Sequence, residues 1–392
     1  MKLELTEAEL RARGSAKWTM FPADVLPAWV ADMDFRVCDP VTDALQAMVE
    51  ESNHGYPLLR GRDSVAEAFS TYMTQRHGWS PDPDNTLLSA DLVQALIACL
   101  LALSDDHADV VVPTPAYPPI LEAVRATGRR LHMVEACDTI PASWPDAVEA
   151  GRLYFVCNPH NPTGRMFSRH ELETVAEAAI RHDAIIISDE VHADIAYERD
   201  HIPMASLSSE VASRTVTLTA ATKAFNLAGV RCGVLHFGTA ELKRRFLRRI
   251  PARLLGEVST VGQVATVAAW REGSPWLATV LSRLEENRAT VDDWVRRTPG
   301  VRWTRPEATY LAWLDVRALD LDDPHRFLLE TAGVALSDGR TFGTGGAGHV
   351  RLNFATSPQI LERILHRTSE AIDHHTAAGA LGCTDSTTME IA

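Results

Sequence analysis

The chain is poor in lysine. Four lysines stand in 392 residues, Lys2, Lys17, Lys223 and Lys243, so each calls for a reason. The six cysteines, at positions 38, 99, 137, 157, 232 and 383, include no CxxC pair. That spacing argues against a disulfide framework or a thiolate metal site, and for reduced core thiols in a cytoplasmic protein. No apolar run approaches the roughly 20 residues that cross a bilayer. No N-terminal stretch joins a basic start, an apolar run and a small-residue cleavage site. Positive charge is short as well: the formal net charge is -14. An acidic surface excludes nucleic acid as the main partner, because a phosphate backbone needs a basic face. The single basic cluster, KRRFLRR at 243–249, reads as a solvated helix face or a subunit contact.

What is present is an ordinary enzyme composition, 46% hydrophobic and 23% charged. The length exceeds one comfortable core, so a large and a small domain are expected. From position 86 onward, strand and helix patterns alternate. Strands are expected at 86–89, 110–112, 152–157, 184–187 and 215–219, with helices at 92–103 and 168–182, the latter opened by a Ser168–Glu171 capping box. Such alternation implies an α/β fold with a doubly wound, mostly parallel sheet. A long charged helix over 275–297 links it to a smaller α+β domain with strands near 310–316 and 349–354. The residues after 375 are polar and small, and are expected to form a mobile tail.

In such sheets ligands bind beyond the carboxyl ends of the strands, so Tyr117, Asn161, Asp189 and Lys223, distant in sequence, are expected to converge. Lys2 and Lys17 lie near the terminus and Lys243 in an arginine-rich helix. Lys223 instead follows an apolar strand in LTAATKAFNLAG. Small apolar neighbours desolvate an ammonium, lower its pKa and free the amine as a nucleophile. Asp189, in ISDEVHAD, ends a buried strand and needs a cationic partner. Glu190 and His192 lack the spacing of a zinc site, so no metal is expected. Asn161 sits in the NPHNPTG turn. Arg231 in GVRCG and Arg351 in HVRLNF stand in apolar runs, and a buried arginine implies a carboxylate or phosphate partner.

NPHNPTG, SDEVH, TKAFNLAG with its later arginine, and HVRLN, in this order, resemble the fold-type I pyridoxal-phosphate enzymes of aminotransferase class I/II. WVADMDF (29–35), PAYPPI (115–120), SDEVHAD and TYLAWLD (309–315) resemble most closely the cystathionine β-lyase (MalY/PatB-like C–S lyase) subgroup. The resemblance spans roughly Leu26 to Thr368. It implies an N-terminal arm with part of the small domain over 1–45, a large cofactor-binding domain over 46–284, and a small C-terminal domain over 285–392. It implies pyridoxal 5'-phosphate as cofactor and a homodimer with shared sites. Lys223 then holds the cofactor and moves the substrate's Cα proton. Asp189 keeps the ring nitrogen protonated, which makes the ring an electron sink. Asn161 meets the ring oxygen, with His192 nearby, and Tyr117, counted with Lys223 as catalytic, stacks on the ring. Thr222, Arg231 and the amides of Leu92 and Val93 receive the phosphate, and Tyr56 reaches the partner's phosphate. Arg351, with Asn161, binds the substrate carboxylate.

Two positions depart from the resemblance. Relatives usually carry glycine where Asp91 stands, and often serine where Ala220 stands. The reaction implied is β-elimination of a cysteine S-conjugate to thiol, pyruvate and ammonia. Transamination, a decarboxylative oxidative deamination and a regulatory, non-catalytic role remain open on the residues alone.

Overall fold

The strands explain themselves by which face each residue covers. In the computed structural model, which describes residues 3–57, 64–136, 139–140 and 153–384, they are β1 (Leu26–Pro27), β2 (Thr86–Ser89), β3 (Asp109–Thr114), β4 (Arg130–Glu135), β5 (Leu153–Cys157), β6 (Ile185–Asp189), β7 (Thr215–Thr219), β8 (Gly233–Phe237), β9 (Leu311–Asp315), β10 (Val334–Ala335), β11 (Ser337–Asp338) and β12 (His349–Asn353). Successive side chains of a strand point to opposite faces. Val110, Val112, Leu153, Phe155, Ile185 and Ile187 join the core under helices Leu92–Leu103 and Pro118–Ala126. Their neighbours Val111, Tyr154, Val156 and Ile186 join the core under helix Arg169–Arg181. Both faces are covered, so these strands read as unbroken apolar runs rather than alternating ones.

The large sheet has seven strands in the order β2-β8-β7-β6-β5-β3-β4. Pairing is parallel through β7-β6-β5-β3-β4. β8 runs antiparallel to both β7 and β2. The parallel strands therefore all end at one edge, where Asp189 closes β6 and Tyr117, Asn158 and Ala220 follow β3, β5 and β7. The reading from sequence found β2, β3, β5, β6 and β7 but passed over β4 and β8.

A second core joins the N-terminal arm, helices Thr260–Glu272, Ser274–Arg297 and Pro358–Thr384, and the three-stranded sheet β11-β12-β9. The residues after 375, expected as a tail, instead carry this last helix on to Thr384. Lys2, Gly61, Cys137 and residues 385–392 lie outside the described residues. Cys38, Cys99, Cys157 and Cys232 are buried free thiols. Among the described residues, no helix is long and apolar enough to cross a membrane.

The arm crosses the molecule as a strap. Leu26 and Ala28 donate to Gly333 and Ala335, and the Asn353 amide donates to the carbonyls of Val30 and Asp32, both at 2.7 Å. Asn226, three residues after Lys223, brackets Met33 and Phe35. Lys17 holds the strap from the other side. Read from sequence as a near-terminal lysine of no consequence, it is buried and pairs with Asp34 at 2.8 Å. It also donates to the Asp32 carbonyl at 3.0 Å, while the Trp18 indole donates to Asp34 at 2.7 Å.

Removing one partner of a buried ion pair strands the other charge, a loss of about 3–5 kcal/mol. Asp34→Ala should lose stability of this order in urea denaturation. The double variant Lys17→Met with Asp34→Leu, which leaves no charge behind, should recover most of it. A double variant as unstable as the single one would show that the pair is not what holds the strap.

Candidate active site

The edge where the parallel strands end opens into a cavity of about 380 Å³. Its lining includes Tyr117, Asn161, Asp189, His192, Thr222, Lys223, Arg231 and Arg351, with Leu92 and Val93 at the start of a helix. These are residues expected from the sequence to act together. Tyr56 is the exception: it is 94% exposed on a loop and does not line this cavity.

Lys223 follows β7 by one turn. Its Nζ donates to the Ala31 carbonyl of the strap at 2.8 Å. Burial pushes its pKa down, opposed in part by the carboxylates of Asp32 and Asp189. The amine is thus held in place by a neutral backbone group, which fixes its position without fixing a proton on it. Asp189 ends β6. Its Oδ1 accepts the Val191 amide at 3.2 Å, and it forms no ion pair among the described residues. Burial first, and Glu190 second, push it up to about 6.

The neighbouring acid faces elsewhere, because adjacent side chains at a strand end point to opposite sides. Glu190 accepts the Ser188 hydroxyl at 2.8 Å, the Met204 amide at 3.0 Å and pairs with His201 Nε2 at 3.1 Å, all buried. The His77 ring meets the His201 ring edge-on at 5.4 Å and pairs in turn with Asp194 at 3.0 Å. This polar wall behind Asp189 was not read from the sequence, since Glu190 was weighed only as a metal ligand. Among the described residues, no group of three or more His, Cys, Asp or Glu could hold a metal ion. His192 returns to the cavity side, where Nδ1 has no partner. Burial, then Lys223 and Arg351, hold it down to about 3, so its imidazole is neutral.

Arg351 lies on β12 and is 4% exposed. One amino group donates to Asn161 Oδ1 at 2.8 Å, the other to the Trp29 carbonyl at 3.0 Å and the Ser337 hydroxyl at 3.1 Å. Its Nε has no partner, and the guanidinium lies over the Phe342 ring at 5.0 Å. Burial lowers its pKa to about 10, still far above neutrality. A buried, charged fork with a free donor is the setting for a carboxylate ligand. Asn161 Oδ1 is engaged by it, which leaves the amide nitrogen as the end able to donate into the cavity.

Arg231 differs from its expectation. It was read as a buried arginine, but its side chain is 59% exposed and its backbone is left-handed, φ 55°. It stands at the mouth of the cavity, 3.4 Å from Asp91. Gly233, two residues on, lets β8 approach the helix start, for a Cβ there would meet Leu92 Cδ2 at 2.7 Å. Tyr117 precedes helix Pro118–Ala126, and burial raises its phenol pKa.

A pyridoxal phosphate molecule fits this donor set. A buried carboxylate without a countercharge suits a cationic ring nitrogen. A desolvated amine suits an aldehyde carbon. A helix start beside an arginine suits a phosphate.

A family model described as aminotransferase class I and II matches residues 30–367. The chain is 34% identical over 369 residues to the cystathionine beta-lyase of Corynebacterium glutamicum, covering 93% of this chain and 98% of that one. It is 32% identical over 363 residues to cystathionine beta-lyase PatB of Bacillus subtilis, covering 89% and 93%. Among solved structures, the PLP-bound C–S lyase from Staphylococcus hominis matches with a TM-score of 0.84 at 26% identity, covering 92% of this chain and 96% of that one.

Asp189 makes the cofactor-free protein pH-sensitive. In the folded chain its carboxyl sits at about 6, above the ordinary aspartate value of 3.8. The protonated form is the one the fold favours, so stability is full below about pH 4 and falls as pH rises toward 6. At ~1.4 kcal/mol per unit the loss is at most about 3 kcal/mol. Asp189→Asn, free of that charge, should be more stable than wild-type apoprotein at pH 7 and equal to it at pH 4. Equal stability of the two at pH 7 in denaturant titrations would show that Asp189 is not destabilised by its burial.

Proposed function

The chain belongs to the aminotransferase class I and II family, and on that footing we propose that it is a pyridoxal-phosphate-dependent carbon–sulfur lyase that cleaves a cysteine S-conjugate by β-elimination. The products are a thiol, pyruvate and ammonia. The observation that carries this reading is the cavity lining: a desolvated lysine, a buried arginine for the α-carboxylate and, among the described residues, no further guanidinium besides Arg231 at the mouth. An acidic side chain would want a dedicated arginine; a thioether needs only room. Relatives over nearly the full length are named cystathionine beta-lyases.

Pyridoxal phosphate, when bound, supplies an electron sink that acidifies the substrate's Cα–H. Lys223 would hold it covalently through Nζ, Asp189 would keep a proton on the ring nitrogen, and Asn161 would donate to the ring oxygen with neutral His192 beside it. Tyr117 would cover one ring face. Thr222, Arg231 and the amides of Leu92 and Val93 would meet the phosphate.

The chain's own residues then divide the work. Arg351 clamps the α-carboxylate and fixes which Cα bond is presented. Because Arg351 is itself held by Asn161, Trp29 and Ser337, little orientation is lost on binding. The Lys223 amine, its pKa lowered by burial, is the base positioned to remove the Cα proton. The thiolate departs from Cβ. The strap over the cavity, carrying the Ala31 carbonyl, keeps bulk water from the amine and aims it.

We also propose that the protein is a cytoplasmic homodimer in which Tyr56 reaches the partner's phosphate. Its exposure on a loop, away from its own cavity, supports this.

Two experiments test these readings. Cysteine S-conjugates such as cystathionine, given without any keto acid, should yield thiol, pyruvate and ammonia, and Lys223→Ala should remove both turnover and covalent cofactor while keeping the fold. Turnover that needs a keto acid and leaves the C–S bond whole would make the protein an aminotransferase. For the dimer, light scattering should give twice the chain mass, and mixed Tyr56→Phe and Lys223→Ala subunits should regain part of the activity that each lacks alone. A fully active monomer would remove Tyr56 from the site.

A further inference from the structure

The start of helix Leu92–Leu103 already carries an anion of the chain's own. Asp91 is its N-cap, in extended backbone with φ −153° and ψ 141°. Its Oδ1 accepts the amides of Val93 at 2.8 Å and Gln94 at 3.2 Å. Its Oδ2 lies 3.4 Å from an amino group of Arg231. The carboxylate thus spans the two kinds of group that a phosphate at this end of the cavity would use, helix amides and a guanidinium.

Few donors among the described residues compensate. Ala90 and Ala220 line the same end and offer no side-chain donor. The Ser89 hydroxyl is spent on the carbonyls of Asp91, at 2.9 Å, and Leu255, at 3.4 Å. Thr222 is left as the side-chain hydroxyl of the cup.

We infer that Asp91 is a resident rival of the cofactor's phosphate, competing for the Val93 amide and Arg231, and that it sets how loosely this chain holds its cofactor. The inference rests on the reading of the cavity as a pyridoxal-phosphate site. A phosphate that enters must either displace the carboxylate from its amides or lie beside it, and a dianion next to a carboxylate is repelled. The same contacts have a second effect. With the helix amides capped and Arg231 neutralised, the cofactor-free protein has no bare cationic cup, so it persists without a bound anion and exchanges cofactor readily.

The test compares cofactor-free wild type with Asp91→Asn, which keeps a capping acceptor but loses the charge, and Asp91→Gly, which loses both. Each is titrated with pyridoxal phosphate and with pyridoxal, which lacks the phosphate, following tryptophan fluorescence and bound-chromophore absorbance. The dissociation constant for pyridoxal phosphate should fall about tenfold in Asp91→Asn, as expected for removing one like charge at a partly solvated site. That for pyridoxal should stay unchanged. Inorganic phosphate should raise the melting temperature of cofactor-free Asp91→Asn more than that of wild type. Pyridoxal phosphate bound no more tightly by Asp91→Asn and Asp91→Gly than by wild type would overturn the inference, as would equal tightening for pyridoxal. Wild type that takes up no pyridoxal phosphate at all would overturn the functional reading itself, and this inference with it.

Discussion

Lys223 and Asp189 are carried out of water at one edge of a parallel sheet, and neither finds an ion pair among the described residues. Everything distinctive about the site follows from that pair of desolvation costs. Burying a charge without a partner shifts its pKa toward neutrality, so the lysine is driven toward free amine and the aspartate toward free acid. Left alone, both groups are penalised. A ligand with an electrophilic carbon at one end and a basic ring nitrogen at the other relieves both at once. Part of the cofactor's affinity is therefore stored in the fold as unmet electrostatic need.

The scaffold supplies rigidity in proportion. Asp189 sits at the last position of a strand buried on both faces, so its backbone cannot drift without disturbing two cores. Behind it, the Glu190–His201 pair and, beyond it, the His77–Asp194 pair fill the space with polar groups, though His77 Nδ1 has no partner among the described residues. The three bonds that Glu190 accepts from Ser188, Met204 and His201 keep it turned away from the cavity. Arg351 is held on the opposite wall by three acceptors from three separate segments. The two walls belong to different cores, and the strap of residues 28–35 ties them together.

The parts of this arrangement legible in the sequence are those that depend on side-chain type at a strand end. Asp189 and Lys223 stood out because a charge after an apolar strand is costly and demands an explanation. Arg351 stood out for the same reason. Arg231 was misread because an arginine between valine and cysteine looks buried, whereas the left-handed turn that holds it lifts the side chain to the surface. Lys17 was misread the other way: nothing in its neighbours reveals that the strap folds over it. The strap's own contribution is carried by carbonyls, at Trp29 and Ala31, and a backbone acceptor has no signature in side-chain pattern. β4 escaped because this edge strand, RLHMVE, is half open to solvent and lacks the continuous apolar run of its neighbours; β8, GVLHF, is buried throughout and was passed over all the same. Asp91 was noticed as an odd residue at a helix start, but only its distances to Val93 and Arg231 show what it does there.

The hydrogen bond from Lys223 to Ala31 joins residues 192 positions apart. During synthesis the strap leaves the ribosome first, long before the strand that delivers the lysine, and it also needs β10 and β12 from the far end of the chain to lie on. Closing loops of that length is slow relative to forming local helices and neighbouring strand pairs. The seating of Lys223 is thus among the last things the molecule assembles: a chain cut between residues 238 and 348 keeps every strand of the large sheet, yet lacks β12, on which the strap lies. Such a truncated chain carries Asp189 and Lys223 but neither Arg351 nor the support for the strap that positions the amine.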